Sequence, residues 1–167
     1  PAVSGASSSN WIDAVSVTYG QDEDSNEIEV YRIGLQNNWE RSWFNGGAWY
    51  VGGYWDMELA FMESDYSGAD NSELFDLSLT PVFRLQRDTG LSSGISPYAE
   101  AGIGPHLISD TRLGHQKYST AFQFGSLIGL GLGFGDRGQY QLGYRFQHIS
   151  NADIKTPNDG MNLHLLR

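Results

Sequence analysis

Eight stretches of this chain alternate apolar and polar residues with a period of two, a rhythm that leaves little choice of backbone. Side chains that change face at every residue belong to a β-strand. In the stretch at about 48–63, Trp49, Val51, Trp55, Met57, Leu59 and Phe61 oppose Tyr50, Gly52, Tyr54, Asp56 and Glu58. At about 73–87, Phe75, Leu77, Leu79, Phe83 and Leu85 oppose Asp76, Ser78, Thr80, Arg84 and Gln86. The same pattern marks about 10–20, 27–40, 95–108, 120–134, the stretch from 139 onward, and a short tail at about 159–167. Most are about 10–16 residues long, beyond the 5–6 usual in soluble sheets and close to what a tilted membrane strand needs.

The two faces differ in kind. One carries large aromatic and aliphatic side chains, the other charges, amides and many glycines. Glycines on the solvent face of a soluble sandwich are hard to justify. In a membrane barrel the apolar face meets lipid, and the polar face fills a lumen where small residues relieve crowding. The expected fold is therefore all-β, an eight-stranded antiparallel transmembrane β-barrel of the outer membrane. Its charged interior pairs Asp56, Glu58, Asp76 and Glu100 with Arg32, Arg84 and Arg145. A soluble lipocalin-like barrel is the alternative, and it would stay monodisperse without detergent. Residues 1–9 are small and polar and read as a flexible segment before a single domain at 10–167. A start at Pro-Ala-Val without Met suggests a chain from which a leader has been removed.

The net charge of −10 argues against nucleic acid as a partner. The absence of cysteine removes disulfide and thiolate chemistry. His106, His115 and His164 lack metal-ligand spacing, and Asp22-Glu23-Asp24 lacks the calcium-loop pattern and reads as a solvated tip. Gly129-x-Gly131-x-Gly133 lies inside an alternating strand with no helix after it, so packing glycines explain it better than a dinucleotide site. No metal and no cofactor are expected. Trp11, Trp39, Trp43, Phe44, Trp49 and Phe134 gather near one rim, as an interfacial girdle does. That rim is expected to face the periplasm. The links at 21–26, 64–72, 109–119 and 151–158 would then lie outside.

From 139 onward, the face formed by Tyr140, Leu142, Tyr144 and Phe146 continues into His148 and Ser150. A base and a hydroxyl two residues apart on one face can meet, as acyl transfer requires. On spacing alone, an interfacial anchor and a strand end also account for the pair. The longer string His148-x-Ser150-Asn151-Ala152-x-x-Lys155-x-Pro157-Asn158-Asp159-Gly160 resembles the signature of the outer-membrane lipid A 3-O-deacylases, the PagL family. The resemblance implies a cofactor-free serine esterase, integral to the bacterial outer membrane, that removes the 3-linked hydroxyacyl chain of lipid A at outer-leaflet level. Ser150 would be its nucleophile and His148 its general base. Asn158 would be the better donor to the oxyanion, with Asn151 and Asp153 as supporting positions. Lys155 would approach a phosphate or simply be solvated. The expected partners are lipid A or lipopolysaccharide, the outer membrane and a second copy as a homodimer.

The chain departs from that family at positions bearing on activity. Asn162 stands where the family has its acidic Glu. An amide can orient an imidazole but cannot offset the charge it acquires, so activity should fall or draw on another carboxylate, with Asp153 and Asp159 nearest in sequence. Asp153 itself replaces a Gly, which casts doubt on a backbone oxyanion contact there. The rival reading is a non-enzymatic small barrel, or a degenerate member of the family.

Overall fold

The computed structural model describes residues 11–24, 27–87, 94–136 and 138–167. The N-terminal segment 1–9 and most of the link at 88–94 lie outside the described residues. Eight long strands close into an antiparallel barrel: β1 (Ala14–Asp22), β2 (Ile28–Asn38), β3 (Trp49–Ser64), β4 (Glu73–Arg87), β5 (Ser96–Ile108), β8 (Phe122–Phe134), β9 (Tyr140–Ser150) and β10 (Met161–Leu166). Two short strands, β6 (Arg112–Leu113) and β7 (Gln116–Lys117), form a hairpin between β5 and β8. Each barrel strand pairs with its neighbour in sequence, and β1 closes the ring against β10 with Tyr19 opposite Leu166 and Asp22 opposite Leu163.

Closure fixes which face points where. Val15, Ile33, Leu79, Leu130 and Leu142 are exposed on the outer wall, while Arg32, Asp56, Glu100 and Arg145 are buried inside. This is the inverted arrangement expected of a barrel in lipid. Trp39 packs edge-on against Trp43, Trp55 and Phe83, with ring centroids 6.3, 6.2 and 4.8 Å away. This cluster marks the girdle end, and Glu23, Asp24 and Glu27 with the links at 65–72, 109–121 and 151–160 mark the other, the site end.

The lumen changes character along its length. Toward the girdle end, Arg145 donates through Nε to Glu100 at 2.7 Å, through NH1 to Asp56 at 3.0 Å and through NH2 to the Tyr54 hydroxyl at 2.8 Å. Arg84 reaches Glu100 at 2.8 Å and lies over the rings of Tyr54 and Tyr98. Arg32 meets Glu58 at 3.3 Å and Gln147 at 2.6 Å. Breaking one partner out of such a buried network leaves an uncompensated charge and costs about 3–5 kcal/mol. Two details differ from the sequence expectation. Asp76 pairs with His106 rather than an arginine, and Arg167 joins the network through Asp56.

Toward the site end the lumen becomes largely apolar, with the His106–Asp76 pair and Gln123 buried at its edge. Ile28, Val30, Met62, Leu74, Ile149, Met161, Leu163 and Leu165 fill it, with Leu113 and Tyr118 of the β6–β7 hairpin folded in above them. A lumen lined mainly by polar residues and glycines was expected, and the departure has a physical cause. The hairpin covers this end, so inward side chains there meet other side chains instead of water. Burial pushes the Tyr118 phenol well up from its ordinary value, helped by Asp159, and its hydroxyl contacts the Met161 sulfur at 3.6 Å. The glycines of β8 serve the packing. A Cβ on Gly131 would lie 2.2 Å from Tyr98 Cζ, and one on Gly125 would lie 2.1 Å from His106 Nε2.

Candidate active site

The site begins with strand register. His148 on β9 stands opposite Asn162 on β10 and opposite Ser126 on β8, so the three form one row on the outer wall. The inward burial of Leu163 and Leu165 sets this register, because a slip by one residue would turn them out and Asn162 in. Directly opposed side chains are close enough to bond, and His148 Nδ1 lies 2.7 Å from Asn162 Oδ1. Only a protonated Nδ1 can donate to that oxygen, which leaves the Nε2 lone pair free. Gly160 makes room for the ring. A Cβ there would meet His148 Cε1 at 3.1 Å and Nε2 at 3.7 Å, and its φ of 66° suits glycine.

Ser150 lies two residues further along β9 on the same outer wall, half-buried and opposite Phe124. Among the described residues no hydrogen bond engages its hydroxyl. A nucleophile–base contact often tightens only around substrate. Phe122 and Phe124, 5.0 Å apart and edge to face, extend the apolar wall beside it.

The loop from Asn151 to Gly160 is tied down from several directions. Buried Asn151 donates through Nδ2 to the Lys155 carbonyl at 2.7 Å, and its backbone N–H donates to Asn158 Oδ1 at 2.9 Å. Asn158 in turn donates through Nδ2 to Asp153 Oδ1 at 3.0 Å, so its amide orientation is set within the loop. Ala152 and Asp153 adopt φ of 55° and 60°, in the left-handed region. Asp tolerates that region better than most side chains, which accounts for Asp153 where a glycine was expected. Its backbone N–H has no acceptor among the described residues. The Lys155 side chain is exposed. The plug hairpin pins the same loop from the other side. Lys117 N–H donates to Asp159 Oδ2 at 2.8 Å, Tyr118 bridges to Asn158, and Ser119 Oγ reaches the Pro157 carbonyl at 2.6 Å.

Neither carboxylate near in sequence serves His148. Asp153 holds Asn158 and Asp159 holds the hairpin. Glu23, just past β1, is the carboxylate that reaches the row, where its Oε2 accepts from Asn162 Nδ2 at 2.8 Å. The stretch read as a solvated tip is thus partly structural, since Asp22 is buried and accepts from Ile28 N–H at 2.9 Å. Sequence reasoning missed Glu23 because nothing local links it to a residue on the last strand.

A closed barrel with an apolar outer wall, carrying a hydroxyl and an oriented imidazole on that wall, is an integral outer-membrane protein built as an esterase would be. Comparison with known proteins narrows the class. Residues 29–167 match the family model described as lipid A 3-O-deacylase (PagL), and the chain belongs to that family. It is 38% identical over 137 residues to the lipid A deacylase PagL of Pseudomonas aeruginosa, covering 82% of this chain and 75% of that one. It is 36% identical over 104 residues to the lipid A deacylase PagL of Bordetella bronchiseptica, covering 60% and 54%. The crystal structure of the outer membrane enzyme PagL superimposes with a TM-score of 0.78 at 32% identity, over 92% of this chain and 96% of that one.

Proposed function

We propose that this chain hydrolyses the 3-linked hydroxyacyl ester of lipid A, with Ser150 as nucleophile and His148 as general base. The observation that carries the reading is the 2.7 Å contact from His148 Nδ1 to Asn162, made on the lipid-facing wall two residues from a serine. With Nδ1–H donated, Nε2 accepts the Ser150 proton as Oγ attacks the ester carbonyl. The tetrahedral intermediate collapses, the C–O bond to the sugar breaks, and His148 returns the proton to the departing hydroxyl. Water then repeats the sequence on the acyl-enzyme and releases the fatty acid. The second Asn158 Nδ2 proton and the unpaired Asp153 N–H are the donors for the oxyanion, with Asn151 holding the loop that carries them. One such donor stabilises a transition state by about 3–4 kcal/mol.

The outer wall brings the reaction to its substrate. An ester at the headgroup boundary, with its acyl chain among neighbouring tails, reaches Ser150 sideways from the bilayer when the girdle end faces the periplasm and the site end the outer leaflet. The test is mass spectrometry of lipid A from cells making the protein. Loss of one 3-hydroxyacyl chain, absent with Ser150→Ala, is expected. Lipid A that is unchanged by both proteins would mean a barrel whose chemistry has lapsed.

A further inference from the structure

We infer that Glu23 is the carboxylate of this site, a positioning residue that acts on His148 through Asn162. The inference rests on the esterase reading above and deepens it. Asn162 occupies the place of an acid, and an amide there is ambiguous. With Oδ1 toward the ring it accepts from Nδ1–H and leaves Nε2 basic. Turned over, it presents Nδ2 to Nδ1, forces the proton onto Nε2 and disables the base.

Glu23 resolves that choice. A carboxylate can only accept, so Oε2 at 2.8 Å requires Asn162 to turn Nδ2 toward Glu23 and Oδ1 toward His148. The backbone supports the contact, because Glu23 N–H donates to the Asn162 carbonyl at 2.9 Å and extends the β1–β10 ladder by one rung. Glu23 also sets a negative charge one amide away from an imidazole that becomes positive during attack. Ser126, opposite the ring on β8, and Gly160, which packs against it, carry no charge, and His164, the next outward residue of β10, stands opposite Phe146 and bonds to the Tyr144 hydroxyl. The acid function is thus divided. Asn162 touches the ring, and Glu23 orients and polarises Asn162 from the opposite end of the chain.

The experiment measures deacylation by purified protein in mixed micelles of lipid A and detergent, for Ser150→Ala, Glu23→Gln, Asn162→Glu and the Glu23→Gln/Asn162→Glu double variant. Ser150→Ala should be silent. Glu23→Gln should lower kcat about tenfold or more at unchanged KM, since a glutamine amide can turn either end to Asn162 and so no longer fixes its orientation, and the negative charge is gone. In the Asn162→Glu background the same substitution should cost nothing or raise kcat, as it then removes one of two adjacent like charges. Full activity of Glu23→Gln alongside a silent Ser150→Ala overturns the role of Glu23 and leaves the esterase reading intact. An equal loss from Glu23→Gln in both backgrounds also overturns that role, since it would mean a merely structural contact. Activity retained by Ser150→Ala overturns the esterase reading and the inference with it.

Discussion

His106 and His148 each set Nδ1 against a side-chain oxygen, 2.8 Å from Asp76 Oδ2 in the lumen and 2.7 Å from Asn162 Oδ1 on the outer wall. By first-contact chemistry alone, the inner pair looks the better catalytic dyad, because it has the acid. It nevertheless has nothing to act on. His106 is fully buried, its Nε2 is closed in by Gly125 and lies 3.4 Å from Gln147 Nε2, and Ser78, which stands opposite it in register, is sealed in the lumen with it. His148 has a weaker immediate partner but keeps Nε2 open, faces the membrane and shares its face with Ser150. What separates the two histidines is access to an ester from the membrane, not the strength of the orienting bond.

Exchanging the two histidines' fates is the strongest way to break that contrast. His148→Ala should lower deacylation by about a thousandfold or more, as loss of a base does, while the heat-modifiable mobility of the folded barrel stays the same. His106→Ala should do the reverse. It leaves the Asp76 carboxylate buried without its partner and should cost about 3–5 kcal/mol of stability in urea unfolding, with turnover per folded molecule retained. A catalytic loss from His106→Ala would mean that the lumen and the outer wall are coupled.

Gly160→Ala sharpens the comparison from the side of space. A methyl there crowds His148 Cε1 and strains a left-handed φ. Turnover should fall about tenfold because the ring is displaced, read as kcat at saturating substrate. The smallest effect belongs to Asn162→Glu, which gives the outer pair the acid that the inner one has. A severalfold rise in kcat is expected, and an unchanged rate would mean that the site already has the charge it needs.

Much of the barrel was legible because period two is a strong signal where one face meets lipid. β3 and β4 lie where alternation placed them, and Tyr140, Leu142, Tyr144 and His148 share the outer wall as read. The apolar half of the lumen was not legible. Ile28, Val30, Met62 and Leu163 sit on inward positions, and only the folded hairpin explains why water does not reach them. That hairpin was itself read as a plain link, since strands of two residues carry no period. For the site, the local string carried His148 and Ser150, and the spacing to Asn162 came from a single hairpin. Glu23 could not be seen that way. Its link to Asn162 spans 139 positions and exists only because the first and last strands meet.

That meeting has a temporal consequence. His148 and Asn162 come together as soon as β9 and β10 form a hairpin, but Glu23 arrives only when the ring is sealed. An unfinished chain in transit through the envelope would therefore hold an amide free to turn either way beside a poorly committed base. Hydrolytic competence would come with the final stitch of insertion, so that the enzyme is armed only once it stands in the bilayer it modifies.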